Sequence, residues 1–318
     1  MRRCLIIKLV GGIYTVYDLD SREVFEAKPR GKFRKMVLKG DSDFHKSISK
    51  RTKKDIQTVT VSPKVGDICH VNVEDDVNVI YELEPRINEL SRPDLANISQ
   101  IILIFSVIEP LFSFNLLDKF LVNIYKNKIK PVLIITKIDL VSETKLNNLK
   151  NDLKYYENMG IDIYYINNLE ALNKDIFHQL FKEKISVLAG QTGVGKSSFL
   201  NILVPDLNLK TAPISTALGR GKHTTRHSEL FEVFQGWIAD TPGFSSLEFD
   251  FYDFKDLKFY YPDFDSLKEN CRFKSSCNHI LEPGCEIKAK YEYKRILPSR
   301  YENYLLFIEE LKTKKEIY

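Results

Sequence analysis

Apolar and polar residues alternate with a period close to two through the first 80 positions, the pattern of strands that bury one face and expose the other. It predicts strands at 4–10, 13–19, 24–27, 58–61, 68–73 and 77–83. Gly11-Gly12, Asp20-Ser21, the segment 63–66 and Asp75-Asp76 supply turn chemistry between them. Short strands in such a length close most simply as a small antiparallel barrel, which either binds oligonucleotides or only packs on a neighbour. After Pro85 the texture changes. Segments 101–107, 131–136, 161–166, 185–189 and 236–239 are apolar almost throughout, as strands buried on both faces are, whereas 114–125, 143–159 and 196–203 have helical spacing. Their alternation predicts a parallel α/β sheet. From 249 onward aromatic and charged residues mix without alternation, until 301–311 reads as an amphipathic helix; no internal repeat is present.

Composition narrows the class. With 318 residues, 43% apolar and 28% charged, the chain can bury two or three cores, and disordered, collagenous and disulfide-dense classes are excluded. The longest apolar run, 101–108, contains Ser106 and stops at Glu109-Pro110, too short for a bilayer. No cleavable leader is read at the N-terminus. Five cysteines, three of them within 271–285, point to metal and to a reducing, cytoplasmic compartment. The net charge of +4 is unevenly spread: residues 1–75 carry 16 Lys and Arg against 10 Asp and Glu. Within them the stretch from Lys28 to Lys54 is a basic run that either tracks a phosphate backbone or is a solvated loop.

The predicted strand 185–189 runs into Gly190-Gln191-Thr192-Gly193-Val194-Gly195-Lys196-Ser197-Ser198 and then a predicted helix, the full G-x-x-x-x-G-K-S spacing in its required context. Glycines let backbone N–H groups turn inward on phosphate oxygens, and the helix N-terminus adds partial positive charge. Lys196 would reach the terminal phosphates, and Ser197 would place a hydroxyl on Mg²⁺. Downstream, Asp240-Thr-Pro-Gly243 ends an apolar strand; its carboxylate can hold Mg²⁺ through water, and the Gly243 N–H can point at a γ-phosphate. Between them lies a basic tract with glycines at its head, Gly219 to His227, in which Thr225, or its neighbour Thr224, would complete the Mg²⁺ shell. The base is chosen by Thr136-Lys137-Ile138-Asp139 after a buried strand: Asp139 would accept from both N–H groups of a guanine edge while the Lys137 stem covers the ring. In ordinary small GTPases the guanine motif follows the phosphate loop; here it precedes it by about 50 residues, so the order reads as a circular permutation.

These motifs in this order, with the N-terminal barrel and C-terminal cysteines, resemble the circularly permuted small-ribosomal-subunit-dependent GTPase A family over essentially the whole chain. The resemblance implies an OB-type β-barrel at 1–83, a permuted P-loop GTPase domain at 84–248 and a helical zinc module at 249–318. It also implies a role in late maturation of the small (30S) subunit, with its ribosomal RNA as partner. Thr136 stands where the wider GTPase pattern has Asn, which loses an amide bridge, and 164–168 reads Tyr-Tyr-Ile-Asn-Asn where the family's second guanine-side loop carries serine. Gly243 is followed by Phe244, which cannot position water as a Ras-like Gln does, so intrinsic turnover should be slow. His223 is the nearest polar group, either ordering that water or contacting phosphate or solvent; the resemblance favours the first.

Cys271-x5-Cys277-x-His279-x5-Cys285 offers four N/S ligands, a closed tetrahedral set for structural zinc. The first loop is one residue longer than the family spacing. Cys4 and Cys69 read as barrel-core residues, and no coiled-coil seam is present, which predicts a monomer. Two other classes stay open: an RNA-binding assembly factor whose nucleotide is structural, and a P-loop ATPase or kinase, against which Asp139 argues.

Overall fold

The computed structural model of the chain describes residues 1–31, 33–38, 56–91, 93–166, 174–204, 228–240 and 253–315. Two compact units result, one centred on Met1–Asn97 and the other on Ile98–Thr224 with Phe231–Tyr318. No helix among the described residues is long and apolar enough to cross a membrane.

The first unit contains β1 (Arg2–Val10), β2 (Ile13–Asp18), β3 (Val24–Pro29), β4 (Phe33–Leu38), β5 (Ile56–Val61), β6 (Ile68–Glu74) and β7 (Val77–Leu83). Five of them close a barrel in the order β1-β2-β3-β7-β6, and β6 returns to β1 with Cys4 opposite Cys69. Alternate residues fill it: Cys4, Ile6, Tyr14, Val16, Ala27, Cys69, Val71 and Ile80 are buried. The barrel is not antiparallel throughout as expected, because β3 and β7 pair in parallel through Lys28 and Val79. The predicted strand at 58–61 also lies elsewhere: it belongs to β5, which pairs with β4 in a separate two-stranded sheet. The sequence hides β4 because Arg34 and Lys35 interrupt its alternation. Asp75 and Asp76, at φ 46° and 62°, make the left-handed turn that joins β6 to β7. A short ribbon of β8 (Glu89–Ser91) and β9 (Asp94–Ala96) is held to this unit by buried Asp67, whose carboxylate takes two 2.7 Å bonds from Arg86.

The second unit is a parallel sheet. Its strands are β10 (Gln100–Ser106), β11 (Lys130–Thr136), β12 (Asp162–Tyr165), β13 (Ile185–Ala189), β14 (Glu229–Val233) and β15 (Gly236–Asp240). Its helices are α1 (Phe114–Lys126), α2 (Glu143–Asn158), α3 (Lys174–Phe181) and α4 (Lys196–Leu203). The spatial order is β12-β11-β10-β13-β15-β14, with β12 through β15 parallel to their neighbours. The chain thus enters the sheet at a central strand. β10 is buried along its whole length, as its unbroken apolar run requires. α3 goes beyond the sequence reading; Phe177, Leu180 and Phe181 bury its one apolar face against Phe199 and Ile238.

In the same unit follow a 3₁₀ segment (Phe254–Tyr260), α5 (Pro262–Asp265), α6 (Glu286–Glu292) and α7 (Pro298–Lys315). Their core includes Val122 of α1, Leu257, Tyr261, Phe264, Tyr304 and Phe307. At its centre Arg300 is fully buried and donates to Asp118 of α1 at 2.6 Å and to Asp263 of α5 at 3.0 and 3.2 Å. Asn303 and Tyr156 complete the Asp118 carboxylate at 2.7 and 2.9 Å, and the guanidinium lies 4.0 Å from the Tyr261 ring centre. One cation therefore joins the C-terminal module to the sheet domain. Arg300→Met leaves two carboxylates without their cation in the interior, and a loss of about 3–5 kcal/mol is expected in urea unfolding; a loss below about 1 kcal/mol would show that the network does not hold the module.

Candidate functional site

β13 is buried on both faces and ends at Ala189, so the chain must turn out of the sheet at residue 190. Gly190 is required there: its φ is 140°, and a Cβ would lie 2.2 Å from the Ile104 carbonyl oxygen of the adjacent strand. Gly195, at φ 97°, caps α4, whose first residues are Lys196, Ser197 and Ser198. The loop and the helix start thus follow the carboxyl end of β13, the end at which ligands bind in parallel sheets. Lys196 folds back on its own loop, donating to the Gly190 and Gln191 carbonyls at 2.7 and 2.5 Å. Burial pushes its ammonium down to about 8, since neutral carbonyls do not offset the lost hydration. A polyphosphate would supply that charge. Ser197 and Thr192 are exposed, and Val194 is buried in the sheet core.

The guanine motif ends β11, two strands away. Thr136 is 4% exposed, and its hydroxyl lies 3.0 Å from the Val194 carbonyl and 3.2 Å from that of Phe105. A hydroxyl has one proton, which these two acceptors share. Lys137 is left-handed, φ 59°, and its ammonium donates to the Glu109 carbonyl. Ile138 is half-buried and Asp139 is exposed in the single 3₁₀ turn that follows. The amide bridge that Thr136 gives up is therefore replaced by a hydroxyl bridge to the phosphate loop. Sequence reasoning missed it because the shorter side chain works only when the two loops approach this closely. Asp240 ends β15, beside β13. Gly243, Phe244, Thr224, Thr225 and His223 lie outside the described residues, as do Asn167, Asn168 and the basic run beyond position 38.

Cys271, Cys277, His279 and Cys285 come together with their ligand atoms within 4.8 Å of one another, all buried. His279 Nδ1 lies 3.7 Å from Cys271 Sγ and 3.5 Å from Cys285 Sγ. Metal–sulfur bonds of about 2.3 Å and metal–nitrogen bonds of about 2.0 Å span a tetrahedral edge of about 3.5 Å, so the residues fit a four-coordinate ion. Burial, reinforced by Lys258, lowers His279 to about 4 and keeps the imidazole neutral with a free lone pair. Burial raises Cys285 to about 12, so the thiolates need a cation. Around the cluster Lys258 donates to the Ser275 and Cys277 carbonyls, and the Cys271 sulfur accepts the Glu286 N–H at 3.4 Å. Burial pushes the Glu282 carboxylate up, but the N–H groups of Asn278, Ile280 and Leu281 outweigh it and hold the group low, fixing the loop between the last two ligands.

The RsgA GTPase family model matches residues 83–250, more than half of the chain. The small ribosomal subunit biogenesis GTPase RsgA of Phytoplasma australiense is 40% identical over 318 residues, covering 100% of this chain and 99% of that one. The chain belongs to the RsgA GTPase family. The protein of the same name from Geobacillus sp. (strain WCH70) is 40% identical over 314 residues, 98% of each. Among solved structures, YloQ, described as a circularly permuted GTPase, superposes with a TM-score of 0.78 at 33% identity over 99% of this chain and 96% of that one. YjeQ from Thermotoga maritima gives 0.76 at 31%, covering 98% of each. The RsgA resemblance and the permuted architecture read from the motif order are borne out.

For this RsgA-family chain the metal cluster makes a direct prediction. Elemental analysis of the purified protein is expected to find one bound metal ion per chain, and the Cys277→Ala variant is expected to lose it. Protein that carries no metal after mild purification would contradict the fit.

Proposed function

We propose that this GTPase acts in biogenesis of the small ribosomal subunit, hydrolysing GTP to GDP and phosphate while docked on that subunit through its RNA. The observation that carries this reading is 40% identity over the whole chain to relatives named for that role. The nucleotide would lie across the ends of β11 and β13, with the phosphates in 190–198 and the base at 136–139. Asp139 accepts from the guanine edge, the Lys137 stem covers the ring, and Lys196 offsets charge that builds on the transferred phosphoryl group.

Ser197, Thr225 and, through water, Asp240 would hold Mg²⁺, which neutralises β- and γ-phosphate oxygens when bound. The Gly243 N–H would meet the γ-phosphate. Attack by water breaks the bond between the γ-phosphorus and the bridging oxygen, and His223 is the residue we assign to orienting that water. Zinc is the ion that best suits three thiolates and one imidazole with no open position. We further assign RNA binding to the barrel at 1–83, nucleotide exchange and hydrolysis to 84–248 and a zinc-stabilised contact to 249–318, in a cytoplasmic monomer.

Steady-state turnover tests this. Hydrolysis of GTP, and not of ATP, is expected to rise at least about tenfold with small subunits and not with large ones. GTP binding without stimulation would favour an RNA-binding assembly factor that keeps nucleotide for stability.

A further inference from the structure

The loop 107–113 leaves the carboxyl end of β10 between the guanine motif and the phosphate loop, yet carries neither motif. Five contacts brace it. Ser106, only 1% exposed, donates its hydroxyl to the Pro110 carbonyl at 2.7 Å. Val107 N–H donates to the Thr136 carbonyl at 3.1 Å. Phe112 packs on Phe105 at 5.3 Å and edge-on to Phe114 at 4.9 Å, which fixes the far end. Ser113 caps α1 by accepting from the Leu116 N–H.

So braced, the loop touches both halves of the site. Glu109 is left-handed, φ 53°, and its carbonyl receives the Lys137 ammonium. On the other side Pro110 lies against the phosphate loop: a Cβ added to Gly193 would meet Pro110 Cδ at 3.7 Å. A lysine stem on four rotatable bonds loses less rotamer freedom on covering a base when its end is already held, and this carbonyl holds it. The contact is made by backbone, so the identity of residue 109 matters less than the residues that hold its peptide.

We propose that Ser106 and Pro110 are positioning residues for guanine-nucleotide binding. Ser106 pins the loop so that the Glu109 carbonyl anchors Lys137 over the base, and Pro110 keeps the loop seated on Gly193. The proposal rests on the guanine-nucleotide reading of the site and assigns its third wall.

A double-mutant cycle tests it, with GDP affinity measured for the wild-type chain, Ser106→Ala, Lys137→Ala and the pair. Ser106→Ala is expected to weaken GDP binding about five- to tenfold alone and less than about twofold when Lys137 is already Ala, because it acts through that side chain. Pro110→Ala, which leaves β10 intact, is expected to weaken binding as well and serves if Ser106→Ala does not fold. Wild-type affinity in both Ser106→Ala and Pro110→Ala, or the same loss from Ser106→Ala in the Lys137→Ala background, would overturn the proposal while leaving the site reading intact. A wild-type chain that does not bind GDP would overturn both.

Discussion

The parallel pairing of β10 with β11 on one side and β13 on the other is the constraint from which the nucleotide site follows. Register sets Ser106 beside Thr136, but pairs Leu103 with Ala189, so β13 ends three positions short of β10. The phosphate loop must therefore turn across the edge of its neighbour, where Gly190 passes the Ile104 carbonyl, before Val194 reaches the Thr136 hydroxyl. Stagger and hydrogen bonds decide where the two loops meet, and chain order does not. A sequence that enters the sheet at β10 consequently builds the same kind of site as one that enters at β13.

A second constraint ties the C-terminal module to this sheet. α1 begins directly after the loop 107–113 and carries Asp118, the partner of buried Arg300. Removing a cation and two carboxylates from water is expensive, and only full pairing makes the arrangement tolerable. Asp118 and Asp263 supply that pairing from two elements far apart in sequence, with Asn303 and Tyr156 completing the Asp118 hydrogen bonds. The metal cluster shares the same core, since its three cysteines pack with Tyr261, Phe264 and Tyr304. Loss of the ion would then be felt at the packing of α7 against α1.

Much of this was legible from local pattern. Continuous apolar runs marked the buried strands, except that 161–166, expected to be buried on both faces, became the half-exposed edge strand β12, and the Gly-rich loop between a strand and a helix marked the phosphate site. The cysteine spacing marked the metal ligands, which the structure brings within bonding reach of one ion. What escaped depends on contacts between distant segments or on weak periodicity. β4 is interrupted by charge, α3 is only eight residues long, and the parallel β3–β7 pairing has no local signature. The Thr136 bridge reads as a loss in sequence because its replacement depends on how closely Val194 approaches. Arg300 looked like one more charge in a mixed C-terminal segment, since nothing near it in sequence names its partners.

The central claim is that Asp139 and the phosphate loop read one guanine nucleotide between them, and base selection tests it most directly. A carboxylate accepts two hydrogen bonds from the guanine edge, whereas the Asn of Asp139→Asn offers one donor and one acceptor, which matches xanthine. Competition binding is predicted to show GDP strongly preferred over XDP and ADP by the wild-type chain, with the preference moving to XDP in Asp139→Asn. An unchanged preference for GDP in the variant, or equal binding of ADP by the wild type, would contradict the account.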